Sequence, residues 1–337
     1  MSTFKTIKPT SVRVSQADLV SVGQGLDSFP LGLRAGVDDI SLIDWVGNNR
    51  EKIESLLCKH GALLFRDFKV DSIQSLADFA GALSSSLIEY GERSSPRTRL
   101  SGGVYTSTDH PADQNILLHN EQSYTLNWPM RIWFLCVIPA ASGGRTPIAD
   151  SRKILKRLDP DLVQKFTAKK IMYVRNYGDL GLSWQEAFQT DDKRVVEQYC
   201  HHAQIEVEWK EKDRLRTRQL RPAVRKHPVT GDLVWFNHAV FFHISSLQSQ
   251  ARESMLSVID EDDAPFNTFY GDGSAIEDSE LDAIRRAYQD ETRSFTWQKN
   301  DILMLDNMLT AHGREAYEGP RKIVVAMAEP FGGVESV

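Results

Sequence analysis

The sequence predicts an α+β fold, a jelly-roll or β-sandwich core with helices packed outside it. Three observations carry this. Strand-length apolar runs crowd the chain beyond residue 100. They lack the regular strand–helix alternation of a parallel sheet. Amphipathic helical segments fall before them or as insertions among them.

The first helix is predicted over 41–60, where Ile43, Val46, Ile53, Leu56 and Leu57 share one face. Gly61 is its stop signal. GALLFRDF (61–68) reads as a short buried strand, and a second helix follows over 72–84. Strands are then predicted over 131–138, 171–177, 204–209, 223–227, 233–236, 295–297, 302–305 and 322–328. Turn-rich pieces such as ASGGRTP and HPVTGD separate them. Helical insertions are placed over 183–188, 193–200, 248–260 and 277–291. No repeat and no low-complexity linker divides the chain, so one domain over 1–337 is expected, with an N-terminal extension of about 40 residues.

Composition narrows the function classes. The 337 residues are 41% hydrophobic and 26% charged, with a formal net charge of −6, ordinary for a water-soluble globular chain. Against that acidic background no nucleic-acid partner is expected. The basic stretch 209–226 (WKEKDRLRTRQLRPAVRK) reads as a solvated or substrate-facing edge. Cys58, Cys136 and Cys200 are odd in number and far apart, giving neither a disulfide framework nor a cysteine metal site. No apolar signal region or membrane-spanning run is present, so a reducing cytoplasm and no membrane partner are expected.

The chemistry centres on LLHNEQSYTL (117–126). If this stretch is a strand, His119 and Glu121 point to one face. Alone, the pair is as compatible with an acid–base site or a polar sheet edge as with a metal. Among nine histidines, His312 is the best third ligand, because it follows an apolar strand and a short turn. Two histidines and one carboxylate on one face of a metal form the ligand set of non-haem Fe(II) oxygenases, with positions left for cosubstrate and O2. Arg321 strengthens that reading. It stands at the start of the apolar strand KIVVAMA, where a buried cation is costly unless it meets an anion. Its fork suits a dicarboxylate, although a structural Asp or Glu would also satisfy it. Two other classes use the same residues: a zinc hydrolase with His119, Glu121 and His312 as ligands, and a metal-free jelly-roll binding module.

HNEQSY, GGRTPIAD, WFN and DNMLTAHGREAYEGPRKIVVAM together resemble the taurine-dioxygenase superfamily of Fe(II)- and 2-oxoglutarate-dependent oxygenases. Within it they are similar to the clavaminate-synthase-like and syringomycin-type hydroxylase branch, over about 61–330. The resemblance implies a double-stranded β-helix (jelly-roll) core. It implies His119, Glu121 and His312 as catalytic iron ligands, and Arg321 with Thr146 at the distal carboxylate of 2-oxoglutarate. It implies Asn115 as a substrate-pocket residue. Relatives that halogenate lack the carboxylate found here at Glu121, which favours hydroxylation. The taurine enzyme's second strand arginine has no counterpart near Ala326, which disfavours a sulfonate substrate.

The activity expected is hydroxylation of an unactivated C–H in an amino acid or amino-acid-derived metabolite, free or tethered to a carrier protein, in specialised biosynthesis. A tethered substrate would give the basic stretch 209–226 an acidic carrier to meet. Arg93, Arg97, Ser107, Asn237 and Phe241 are further candidates for the substrate side. His238 and His243 are expected in aromatic packing, and Asp306 with Asn307 is expected either to orient His312 or simply to form a turn.

Overall fold

Side-chain alternation along the last long strand, Lys322–Gly332, sets the layers. Val324, Ala326 and Ala328 join one hydrophobic cluster, while Ile323, Val325 and Met327 join another. Strands Ala62–Arg66 and Ile302–Asp306 split in the same way, with Leu63, Phe65, Ile302 and Met304 on the first side and Leu64, Leu303 and Leu305 on the second. A sheet buried on both faces produces near-continuous apolar runs, and that is why these strands stand out in the sequence.

The computed structural model of the protein describes residues 19–23, 29–84, 87–88, 99–101, 103–106, 110–178 and 180–332. Its eight-stranded major sheet has the order Val20–Val22, Leu31–Ala35, Ala62–Arg66, Ile302–Asp306, Asn127–Ile138, Lys322–Gly332, Val104–Thr106, Arg99–Ser101. Only Leu31–Ala35 and Ala62–Arg66 pair in parallel. Residues from the stretch set apart as an extension thus form two strands of this sheet. Helices Leu42–Asn48, Arg50–His60 and Gln74–Leu83 cover its outer face with Trp45, Leu57 and Phe79.

A four-stranded minor sheet lies against the inner face, in the order Arg293–Phe295, Thr146–Asp150, Thr310–Arg314, Ile116–His119. Ile148 and Trp297 pack into the inner core from this side. The far side of the minor sheet is covered by helices Ser151–Arg157, Pro160–Lys169 and Asp278–Glu291, with Ala149 and Ala311 meeting Ile154, Phe166 and Ile284. A third, four-stranded sheet is an insertion: Ile205–Lys210, Arg214–Arg221, Ile171–Tyr177, Phe266–Tyr270.

Several elements differ from expectation for identifiable reasons. The single helix predicted over 41–60 breaks at Asn49, which leaves helical geometry and turns its side-chain amide onto Trp45 O at 2.8 Å. Asparagine competes with the helix for its own backbone groups in this way. The basic stretch is corrected more strongly. Arg214–Arg221 is an inner strand with Leu215, Thr217, Gln219 and Arg221 buried. Arg221 donates to the carbonyls of Tyr124 and Ala203. On the other face Arg216 and Lys210 pair with Asp263, and Arg218 pairs with Glu208. The stretch is therefore no free basic edge. Among the described residues no helix is long and apolar enough to cross a membrane.

Candidate active site

His119 closes strand Ile116–His119, and His312 lies directly opposite it in the antiparallel strand Thr310–Arg314. Their ring centroids are 4.7 Å apart. Glu121 reaches the same point by another route than the one expected. The strand ends at His119, and a turn follows in which Gln122 takes a φ of +54°. The shared-face rule for i and i+2 does not operate here; the turn swings the carboxylate in. Ligand atoms of His119, Glu121 and His312 all lie within 4.8 Å of one another. Among the described residues this is the one group of three or more such side chains so placed.

The donor set fits a metal. His119 Nδ1 is 2.8 Å from Leu117 O. A carbonyl only accepts, so Nδ1 carries the proton and Nε2 keeps its lone pair for a ligand bond. Glu121 and His312 are buried. His238 and His243 stay outside the ligand group. His238 packs on Tyr124, Phe241 and Phe242 and shares a 2.6 Å hydrogen bond with Ser123 Oγ. Burial first, and then the neighbouring His119, hold its pKa well below the usual imidazole range. His243 is pushed down to about 4 by burial, and its Nδ1 accepts the Ser245 N–H.

Beside the histidines lies a cavity also lined by Phe134, Thr146, Arg314 and Arg321. Thr146 Oγ1 accepts the Trp297 indole N–H at 3.0 Å, which leaves the threonine hydroxyl proton to give to a ligand. Arg321 donates from Nε to Gly144 O at 3.1 Å. Gly144 has a φ of +64°, and a Cβ there would sit 3.1 Å from Arg321 Cδ, so the glycine lets the arginine lie along the turn. Burial, and then repulsion from Arg314, push the Arg321 guanidinium down to about 10. Among the described residues the other groups acting on it are Tyr317 and Cys136, and no carboxylate is among them. A cation held this way, next to a free hydroxyl donor, fits an anionic cosubstrate.

Arg314 was missed by the sequence reading. It is buried, its guanidinium donates to the carbonyls of His110, Pro111 and Gln114, and its Nε has no partner among the described residues. The available signal was its place two residues after His312, on the same short strand.

The remaining candidates separate. Phe241 comes to the site, with its ring centroid 4.7 Å from that of His119. Asn237 is turned to backbone, donating to Ala223 O at 2.9 Å and accepting the Ala239 N–H at 3.0 Å. It borders, with Phe241, a neighbouring cavity of about 240 Å³. Asn115 does not line the cavity beside the histidines. Its Oδ1 accepts the Ala316 N–H at 2.7 Å and ties the approach to His119 to the loop after His312. Arg93, Arg97 and Ser107 lie outside the described residues.

Asp306 and Asn307 do not turn to His312. Asp306 bonds His227 Nε2 at 3.0 Å and caps the Met308 and Leu309 N–H groups, while Asn307 is directed at the backbone of Glu121. Ala326 faces the helix-covered core, and the cavity-facing position beside it is Val325; neither offers a cation to a sulfonate.

A jelly roll carrying a histidine–glutamate–histidine cluster beside a cationic pocket defines the class of non-haem iron oxygenases that use an acidic cosubstrate. Comparison with known proteins agrees. The model of the taurine catabolism dioxygenase TauD, TfdA family matches residues 27–327. The dapdiamide synthesis protein DdaC of Enterobacter agglomerans is 39% identical over 88% of this chain and 90% of its own. A clavaminate synthase-like protein of Arabidopsis thaliana is 27% identical over 84% and 86%. Among solved structures, PvcB, an Fe, alpha-ketoglutarate dependent oxygenase from an isonitrile synthetic pathway, superposes with a TM-score of 0.56 at 15% identity, covering 95% of this chain and 94% of that one. The chain belongs to the TauD/TfdA family and is a 2-oxoglutarate-dependent non-haem iron dioxygenase.

Proposed function

We propose that this dioxygenase hydroxylates an unactivated C–H of an amino acid or amino-acid-derived metabolite in a specialised biosynthetic route. The observation that carries the assignment of roles is one cavity with His119 and His312 at its wall and Arg321 and Thr146 at the same opening. His119, Glu121 and His312 would hold Fe(II). Arg321 and the Thr146 hydroxyl would take the distal carboxylate of 2-oxoglutarate and fix its direction. With O2, the bound iron and 2-oxoglutarate supply the oxidant, so that R–H, 2-oxoglutarate and O2 become R–OH, succinate and CO2.

The chain's own work is positional. Leu117 O sets the His119 tautomer, Trp297 sets the Thr146 rotamer, and Phe241 forms an apolar wall against His119. Phe134 lies 5.1 Å from the His312 ring and closes another side. Such apolar walls exclude water from the reacting centre. A zinc hydrolase or a metal-free binding module has no use for the Arg321–Thr146 pair. The Glu121 carboxylate supports hydroxylation over halogenation, since it fills the position a halide needs.

The relative named for dapdiamide synthesis and the neighbour from an isonitrile pathway support a small amino-acid-like substrate. The internal pairing of Lys210, Arg216 and Arg218 favours a free substrate over one carried by an acidic protein. The test is succinate release screened across amino acids and short peptides, each free and carrier-tethered, with product mass. A gain of 16 mass units on a free amino acid derivative supports the proposal. Turnover confined to tethered or non-amino-acid substrates, or zinc-dependent hydrolysis without succinate, would refute it.

A further inference from the structure

Glu121 sits beyond the end of its strand, so no ladder hydrogen bond aims it. The turn that carries it is held instead by one side chain from the far end of the sequence. Asn307 Oδ1 accepts the Glu121 N–H at 2.8 Å, and Asn307 Nδ2 donates to Glu121 O at 2.9 Å and to Pro129 O at 2.8 Å. Its backbone is fixed as well: Asn307 N–H donates to Met130 O, and Asn307 O accepts from Asn120 Nδ2 at 2.6 Å. Asn120 also donates to Ser151 Oγ. Both asparagines are fully buried.

Every polar atom of the Asn307 amide is thus used, and two of its three bonds hold the peptide groups on either side of the Glu121 Cα. Fixing both groups fixes the direction of the Cα–Cβ bond, hence where the carboxylate arrives. Asparagine alone suits this place. Aspartate would turn acceptors toward two carbonyls, and alanine would take a hydrogen-bond partner from three backbone groups.

We propose that Asn307 is the positioning residue for the Glu121 carboxylate, setting metal affinity through the turn backbone. This rests on the reading of His119, Glu121 and His312 as the metal ligands. Neighbours that orient metal ligands typically contribute about 10–100-fold in affinity.

The test is a double-mutant cycle read by anaerobic Co(II) titration of the full chain, with the visible ligand-field spectrum recorded and the metal-free melting curve checking the fold. Asn307→Ala is expected to weaken Co(II) binding about 10–100-fold and to move the spectrum toward that of Glu121→Ala. In the Glu121→Ala background it should cost less than about twofold more, because its object is gone. Wild-type affinity in Asn307→Ala, or an equal loss in both backgrounds, would overturn the proposal while leaving Glu121 a ligand. Wild-type affinity in Glu121→Ala would instead remove the ligand reading, and the proposal with it. Should Asn307→Ala not fold, Asn307→Asp keeps the shape and the acceptor for the Glu121 N–H but loses the paired donors. A tenfold or greater loss there supports the proposal, and undiminished binding refutes it.

Discussion

Replacing Arg321 with methionine should make the cosubstrate-free protein more stable while destroying its response to 2-oxoglutarate. The guanidinium is held at about 10 by burial and by Arg314, against an ordinary value above 12. At about 1.4 kcal/mol per pKa unit, burying this cation costs up to about 3 kcal/mol. Methionine removes that cost and keeps most of the volume. It also loses the hydrogen bond to Gly144 O, worth about 1 kcal/mol. A net gain of about 2 kcal/mol remains, a rise in Tm of roughly 2–5 °C for a chain of this size. Wild type should gain about 2.7 kcal/mol from 2-oxoglutarate at a hundred times its Kd, and the variant nothing.

The sign of the pH dependence follows from the lowered folded value. The destabilisation is present at every pH below about 10 and is relieved only above it, as the folded-state guanidinium loses its proton before the unfolded one. The gap between variant and wild type should therefore be flat across roughly pH 6–9. The assay is anaerobic thermal or urea unfolding with Fe(II), with and without 2-oxoglutarate. A methionine variant less stable than wild type without cosubstrate would show that Arg321 is paired in the fold, and the anion-site reasoning would fail.

Other outcomes follow from the same geometry. His119→Ala and His312→Ala should each abolish the weak visible band formed anaerobically with Fe(II) and 2-oxoglutarate and lower succinate formation at least about 100-fold; a variant that keeps both contradicts the ligand roles. Phe241→Ala removes the ring packed 4.7 Å from that of His119, and a lost apolar wall contact should raise the substrate KM about tenfold or more. Unchanged substrate kinetics would put the substrate on another side of the metal. Burial pushes the Cys136 thiol up to about 12, and Cys200 is fully buried, so a thiol reagent should modify only Cys58 in the native protein and all three cysteines in denaturant. Labelling of Cys136 in the native state would contradict its place in the inner core.

How much of this could be read from the sequence depends on what each element buries. Strands such as Lys322–Gly332 and Ile302–Asp306 are apolar on both faces and announce themselves as runs. The minor-sheet strands Ile116–His119, Thr146–Asp150 and Thr310–Arg314 are four or five residues long and carry site residues, so no run marks them. Arg214–Arg221 was read as an edge because its charges are dense. The alternation of RLRTRQLR holds the strand signal, with Leu215, Thr217, Gln219 and Arg221 turned inward.

At the site the divide is similar. The spacing of His119 and Glu121, the place of His312 after an apolar strand and the cost of burying Arg321 mark four of the site residues in the sequence, whereas Thr146 follows only from the family resemblance. Glu121 was named for a strand that stops short of it, and the turn depends on Asn307, 186 positions away, a distance no local pattern spans. The sequence points to Asn115 and Asn237 as substrate residues, but the buried Asn237 amide is committed to backbone groups on both sides, and the exposed Asn115 accepts the Ala316 N–H with its Oδ1. Neutralising unpaired backbone is what buried asparagines do most often, and sequence offers no sign of which peptide needs it.

The order of the major sheet has a consequence for synthesis. Its middle strand, Asn127–Ile138, is flanked by Ile302–Asp306 on one side and Lys322–Gly332 on the other. While the chain is being made, this long apolar strand has neither neighbour until residues beyond 301 have left the ribosome. During that interval it presents two open edges, the condition under which strands pair with the wrong partners. A chain stopped anywhere between residues 139 and 301 keeps those edges for good, so truncation products of this protein should be found in aggregates.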